Sequence, residues 1–200
     1  MPQPKIIGIT GTIASGKSLI GHLIAERGYP VIDTDEVVHE LFASNHAMRQ
    51  AIREAFGESV IALDASVDRK ALGKIVFADP LARKRLEAIV HPATIEETQR
   101  RIQTQADKPF IFVLVPLLFE VGVQRHYDQI WTVFADDEVV RARLKLRDGL
   151  SDKEIEDRLA AQFPQSTKRE LSDRAIDNSD TKEATAKQLD GLLAELVAEQ

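Results

Sequence analysis

Eight residues constrain this chain more than any others: Gly11-Thr12-Ile13-Ala14-Ser15-Gly16-Lys17-Ser18 fit the pattern G-x-x-x-x-G-K-[ST]. Lys5-Ile6-Ile7-Gly8-Ile9-Thr10 before them reads as a short buried strand. Leu19-Ile20-Gly21-His22-Leu23-Ile24-Ala25-Glu26 after them has apolar residues at helical spacing. Strand, glycine loop and helix are the context the pattern requires. In that context the loop's N–H groups turn inward and wrap a phosphate, aided by the free amides and positive dipole end of the helix. Lys17 then reaches the terminal phosphates and the Ser18 hydroxyl holds magnesium. Residues 11–18, with Leu19 next to them, form the expected binding set for a nucleoside triphosphate such as ATP.

Bulk properties narrow the remainder. Two hundred residues suit one domain with subdomains, and 44% apolar with 29% charged residues is ordinary for a globular protein. Without cysteine there is no disulfide, thiolate metal site or thiol nucleophile, which is compatible with a reducing cytoplasm. No secretory leader is expected at the start, because Gly11 and Lys17 interrupt any apolar stretch. The most apolar run, Phe110 to Phe119, contains Pro116 and is too short to span a membrane, so no membrane partner is expected. A net charge of −6 argues against general nucleic-acid binding. Small molecules are the expected partners of a monomer or weak homo-oligomer.

Five apolar strand patterns alternate with helical ones: residues 5–10, 30–32, 110–115, 129–134 and 174–176. Such alternation predicts an α/β three-layer sandwich around a five-stranded parallel sheet of the P-loop NTPase type. Ligands then sit outside the carboxyl ends of the strands. The stretch between strands two and three far exceeds a simple crossover and looks helical. It predicts a helical, acceptor-binding insertion over 35–105 within a core of 1–34, 106–139 and 172–200. Helices are expected at 35–44, 47–56, 69–77, 81–90 and 92–105, with Pro92 at the first position of the last one. The arginine-rich segment 140–171 reads as a helical lid or as ordinary surface helices, with Ser151-x-x-Glu154 as a capping box. An amphipathic helix is expected at 181–199.

Phosphoryl transfer needs a cradle, a metal, a positioned hydroxyl and cations for the equatorial oxygens. Asp33, directly after strand two, is placed to accept the acceptor's proton; equally, Asp33-x-x-Glu36 is a capping box. Asp35 either orders the metal's waters or lies on a solvated face. Arg143 and Arg147 share a helix face and suit either phosphate oxygens or salt bridges to nearby aspartates. Glu120 is expected near the metal or at the surface. Asn178 is expected to touch a base or to make a turn.

Switch GTPases require D-x-x-G and N-K-x-D, and neither occurs here. Strand three ends in Leu114-Val115-Pro116 without the metal carboxylate common in motor ATPases. A small-molecule kinase remains. The chain resembles the dephospho-CoA kinase family nearly end to end. The resemblance rests on the loop, Val31-Ile32-Asp33-Thr34-Asp35, the blocks 68–77 and Leu86 to Pro92, Pro116-Leu117-Leu118-Phe119-Glu120, Arg147-Asp148-Gly149-Leu150-Ser151, Ala160-Ala161-Gln162 and Ile176-Asp177-Asn178. It implies that ATP phosphorylates the ribose 3′-hydroxyl of dephospho-CoA, the last step of coenzyme A synthesis. Asp33 would then be the base, Ser18 the magnesium-coordinating hydroxyl, and His91 part of the acceptor-binding region; Lys17 and Arg147 would stabilise charge. Thr12 and Ala14 depart from the family's usual glycines, Leu114 from a common aspartate, and Val140 from a common glutamine. A β-branched residue is strained at positive φ, so Thr12 must keep ordinary angles. Another small-molecule kinase, for a nucleoside or sugar acid, and a non-catalytic ATP-binding regulatory domain are the competing readings.

Overall fold

In the computed structural model, which describes residues 3–199, strand β1 (Lys5–Thr10) takes the middle of the sheet. Its side chains leave no solvated face: Ile7 and Ile9 are fully buried, as are the aromatic and branched residues of β3 (Phe110–Leu114). That is the pattern of a strand covered on both sides. β2 (Val31–Asp33), β4 (Gln129–Phe134) and β5 (Arg174–Asp177) complete a sheet of order β2-β3-β1-β4-β5. β1 runs parallel to β3, with Ile7 opposite Phe112, and parallel to β4, with Ile9 opposite Trp131. β4 pairs with β5 in parallel as well. The chain leaves β1 toward the β2 edge and leaves its neighbour β4 toward the β5 edge. The loop after β1 therefore opens at a switch point, where α/β sheets hold ligands.

The chain forms two compact units: one runs up to Ile32 and from Gln105 on, and the other is Asp33–Thr104. In the first, α1 (Lys17–Glu26) and α9 (Lys182–Ala198) cover one sheet face. Leu23 and Ile24 of α1 and Leu189, Leu193 and Leu196 of α9 join Ile9, Phe112, Trp131 and Val133 in one core cluster. Within it Tyr29, Phe112 and Trp131 stack edge to face, with ring centroids 5.7 and 5.6 Å apart. Each such pair contributes about 0.5–1.5 kcal/mol beyond its burial. Leu114 packs against Gly21 of α1, where a Cβ would lie only 2.6 Å from its Cδ1. A carboxylate at position 114 would instead be desolvated there.

The lid segment contains α6 (Asp137–Asp148), α7 (Asp152–Ala160) and a short α8 (Gln165–Glu170). Ser151 and Glu154 form the expected reciprocal capping box. Val140, Leu144, Ile155 and Ala135 bury each other in a satellite core, so Val140 fills an apolar position. α8 lies against β4, and its Lys168 is fully buried. The Lys168 ammonium donates to the Pro116 carbonyl at 2.9 Å and pairs with the Glu120 carboxylate at 2.8 Å. The Phe163 N–H donates to the same carboxylate at 2.8 Å. Glu120, largely shielded from solvent, is thus not a surface group but the anchor for the chain between α7 and α8. Burial pulls the Lys168 pKa below the ordinary lysine value, against the opposing pull of Glu120.

The second unit packs α2 (Thr34–Ser44), α3 (His46–Phe56) and α4 (Arg69–Ala78) against α5 (Pro80–Gln103). Side-chain caps start each of them: Asp33, Asn45, Asp68 and Asp79 accept from amides of the first turn. Here the expectation of two helices meeting at His91-Pro92 is corrected. α5 runs unbroken through Pro92. An interior proline forfeits one hydrogen bond and crowds the carbonyl four residues back, at a cost of about 3 kcal/mol. Burial of Ala82, Val90 and Thr98 against three neighbouring helices outweighs that cost. Thr94 donates its hydroxyl to the Val90 carbonyl at 2.8 Å.

Truncating Lys168 alone should be far worse than replacing the whole pair. Lys168→Met leaves Glu120 desolvated and should lower unfolding free energy by about 3–5 kcal/mol in denaturant titration. Lys168→Met with Glu120→Leu should recover most of it; equal losses in the two proteins would contradict an anchoring ion pair.

Candidate active site

The glycine loop keeps its shape through backbone angles that only some residues tolerate. Gly11 has φ 152° and Gly16 φ 110°, both in the region that favours glycine. A Cβ at Gly11 would meet the Val133 carbonyl oxygen at 2.2 Å, and one at Gly16 would meet Asn178 Nδ2 at 1.9 Å. The glycine pattern is therefore a requirement of packing as well as of φ. Thr12 is absent from the positive-φ residues, as its branched side chain demands, while Ala14 takes φ 60°. An alanine in the left-handed region costs about 1–2 kcal/mol, so neighbours must hold it there.

Those neighbours come from the carboxyl-terminal third of the chain. Asn178, at the end of β5, is buried and donates from Nδ2 to the Ser15 carbonyl at 2.8 Å. Its Oδ1 accepts from the Thr185 hydroxyl of α9 at 3.0 Å, and its N–H donates to Phe134 at 2.8 Å. Arg143 of α6 donates to the Asn178 carbonyl at 2.8 Å and to the Ala14 and Ser15 carbonyls at 3.4 Å. Gln162 Oε1 accepts from the Ile13 N–H at 2.9 Å. The side chains of Ile13 and Ala14 pack against the satellite core of α6 and α7. Lys17 Nζ donates to the Gly11 and Thr12 carbonyls at 2.9 Å, curling back over the loop. The Thr12 and Ser15 hydroxyls are buried with no hydrogen-bond partner.

The structure distributes the expected site residues as follows. Residues 11–18 form one loop, with Ser18 exposed on the first turn of α1 and Leu19 packed against the main core. Asn178 and Arg143 reach this loop through backbone carbonyls, and Asn178 also accepts from the Thr185 hydroxyl. Arg147 stays exposed and forms a bidentate pair with Asp148, at 2.8 and 2.9 Å. That pair raises the arginine's pKa and lowers the aspartate's. Asp33 ends β2 and caps α2, its Oδ1 accepting from the Asp35 N–H at 2.9 Å. The bond goes to the second helical residue, and the carboxylate keeps a second oxygen for other chemistry. Asp35 is exposed; His91 lies half-buried in the middle of α5. Among the described residues no three His, Asp or Glu side chains form a metal-holding group, and no helix is long and apolar enough to cross a membrane. The loop contact of Gln162, the burial of Lys168 and the anchoring role of Glu120 leave no mark in the sequence pattern. Polar side chains inside a mixed-charge helical segment carry no periodic signal that separates buried from exposed.

Comparison with known proteins bears on this arrangement. The family model for dephospho-CoA kinase matches residues 5–183. The dephospho-CoA kinase of Geobacter metallireducens is 43% identical over 194 residues, covering 96% of each chain. A crystal structure of a Thermus thermophilus protein superposes with a TM-score of 0.84 at 34% identity, covering 98% of this chain and 99% of that one. The dephospho-CoA kinase of Campylobacter jejuni superposes with a TM-score of 0.71 at 26% identity, covering 96% of both chains.

Gly16→Ala tests the loop's packing. The added methyl collides with Asn178 and sits at an unfavourable φ, so stability should fall by at least about 2 kcal/mol with loss of ATP binding. Wild-type unfolding and wild-type ATP titration in that variant would refute the requirement.

Proposed function

The chain belongs to the dephospho-CoA kinase family, and on that premise we propose how its residues carry the reaction. The protein is an ATP-dependent phosphotransferase with an alcohol acceptor: it moves the γ-phosphate of ATP to the ribose 3′-hydroxyl of dephospho-CoA. The observation that carries this reading is the glycine loop, set in a chain similar to that family along almost its whole length.

Amides of the glycine loop surround the phosphates, Ile13 excepted because its N–H donates to Gln162, and Lys17 leaves the loop carbonyls to stabilise charge on the transferring group. Asp33 accepts the proton of the 3′-hydroxyl as that oxygen attacks the γ-phosphorus. The bond to the β-phosphate breaks and ADP leaves. Arg147 exchanges Asp148 for phosphate oxygens, a swap favoured by its exposed position and forked donors. Arg143 and Asn178 serve the nucleotide through the loop carbonyls they brace, and Leu19 through the core that seats α1. His91 belongs to the acceptor-binding region.

The donors present fit magnesium, a hard cation that keeps several waters and takes one or two protein oxygens beside substrate phosphates. Here the exposed Ser18 hydroxyl would be that oxygen, and the ion held there would supply charge neutralisation to the phosphates. We place the enzyme in the cytoplasm as a monomer or weak homo-oligomer, in keeping with its lack of cysteine.

The test is to offer Mg-ATP with dephospho-CoA, nucleosides or gluconate and to identify the phosphorylated product. Dephospho-CoA alone should gain a 3′-phosphate; phosphorylation of a nucleoside or gluconate instead would overturn the assignment. Asn is as good an N-cap as Asp but a far weaker base. Asp33→Asn should therefore keep wild-type unfolding while turnover falls about 10²-fold or more. Turnover within a few-fold of wild type would leave Asp33 as a cap only.

A further inference from the structure

Gln162 lies in the segment joining α7 to α8, far from the glycine loop in sequence, yet its carboxamide oxygen holds the Ile13 N–H at 2.9 Å. A backbone N–H can only donate, so the orientation of this carboxamide is fixed by its partner. With the oxygen committed to the loop, the chemistry this head group can offer a ligand is donation from the two N–H bonds of Nε2. A neutral donor mounted on a phosphate-wrapping loop suits an anion.

The segment around Gln162 is tied down on both sides. The next residue, Phe163, donates its N–H to Glu120 at 2.8 Å, and Glu120 is itself held by buried Lys168. Gln165 brackets the peptide at Ala135, accepting from its N–H at 3.1 Å and donating to its carbonyl at 2.9 Å. From the loop side, Ile13 and Ala14 insert into the apolar cluster of Val140, Leu144 and Ile155. This support gives the carboxamide a defined place, as a binding group requires.

We propose that Gln162 is a phosphate-binding residue of the nucleotide site: its oxygen is clamped by Ile13 and its Nε2 donates to the bound triphosphate. The inference rests on the nucleotide reading of the glycine loop but not on the identity of the acceptor. It gives the lid segment a contact with the phosphates that does not depend on any arginine.

Gln162→Glu separates this role from a structural one. Glutamate keeps an oxygen for the Ile13 N–H, so the unfolding midpoint of the nucleotide-free protein should stay at the wild-type value. Its second oxygen puts a negative charge where a donor stood, and like charges at close range are costly. Equilibrium titration with Mg-ATP, without acceptor, should then show affinity weakened about tenfold or more, with the penalty shrinking at high salt. Wild-type ATP affinity in a folded Gln162→Glu protein overturns the proposal. Gln162→Met, of similar length but with neither donor nor acceptor, provides the second arm and should also bind ATP more weakly. A folded Gln162→Met protein with wild-type ATP affinity would equally overturn it. Failure of the wild-type protein to bind ATP would instead remove the nucleotide reading beneath it.

Discussion

The hydrogen bond from Asn178 to the Ser15 carbonyl is the contact on which the glycine loop depends. It is possible only because position 16 carries no Cβ, and it forces the loop to follow the end of β5. Its other bonds reach three further segments: α9 through Thr185, β4 through Phe134 and α6 through Arg143. One buried carboxamide with every polar atom satisfied thus ties together parts of the chain far apart in sequence. Such networks specify one arrangement because each unmade bond leaves a desolvated polar group. The loop's amides owe their inward aim to this frame as much as to the glycines.

The lid extends the same frame. Where the family commonly has glycine, Ala14 puts a methyl into the lid's core and holds a left-handed backbone. The strain at Ala14 and the apolar seat of Ile13 belong to one arrangement, since the packing offsets what the backbone angle costs. Behind the seat, Lys168 and Glu120 secure the chain that carries Gln162 and Gln165. Loop, lid base and the segment after β3 therefore form one hydrogen-bonded assembly, with Arg147 exposed and paired to Asp148.

Much of this was legible in the sequence because it is written in local chemistry. Glycine spacing marked the loop; apolar runs marked all five strands; Ser151 with Glu154 marked a helix start by the bonds their side chains make. Thr12 was legible too, since a β-branched residue excludes positive φ. What escaped is tertiary. Pro92 is a helix-start signal by itself, and only packing of α5 against three helices overrides it. Lys168 reads as a solvated cation in Ser166-Thr167-Lys168-Arg169 until Glu120 and Pro116 bury it. Asn178 and Arg143 were marked as nucleotide contacts by position, but their bonds to backbone depend on a fold that no local pattern encodes.

If Asn178 braces the loop for phosphate, the isosteric change Asn178→Asp must release it. The substitution keeps the acceptor for Thr185 and removes only the donor to Ser15, setting a carboxylate oxygen against a carbonyl oxygen. Amide hydrogen exchange should quicken across residues 15–18 while the central strands stay protected, and Mg-ATP affinity should drop about tenfold or more. Unchanged loop exchange with wild-type ATP affinity would show that Asn178 does not brace the loop.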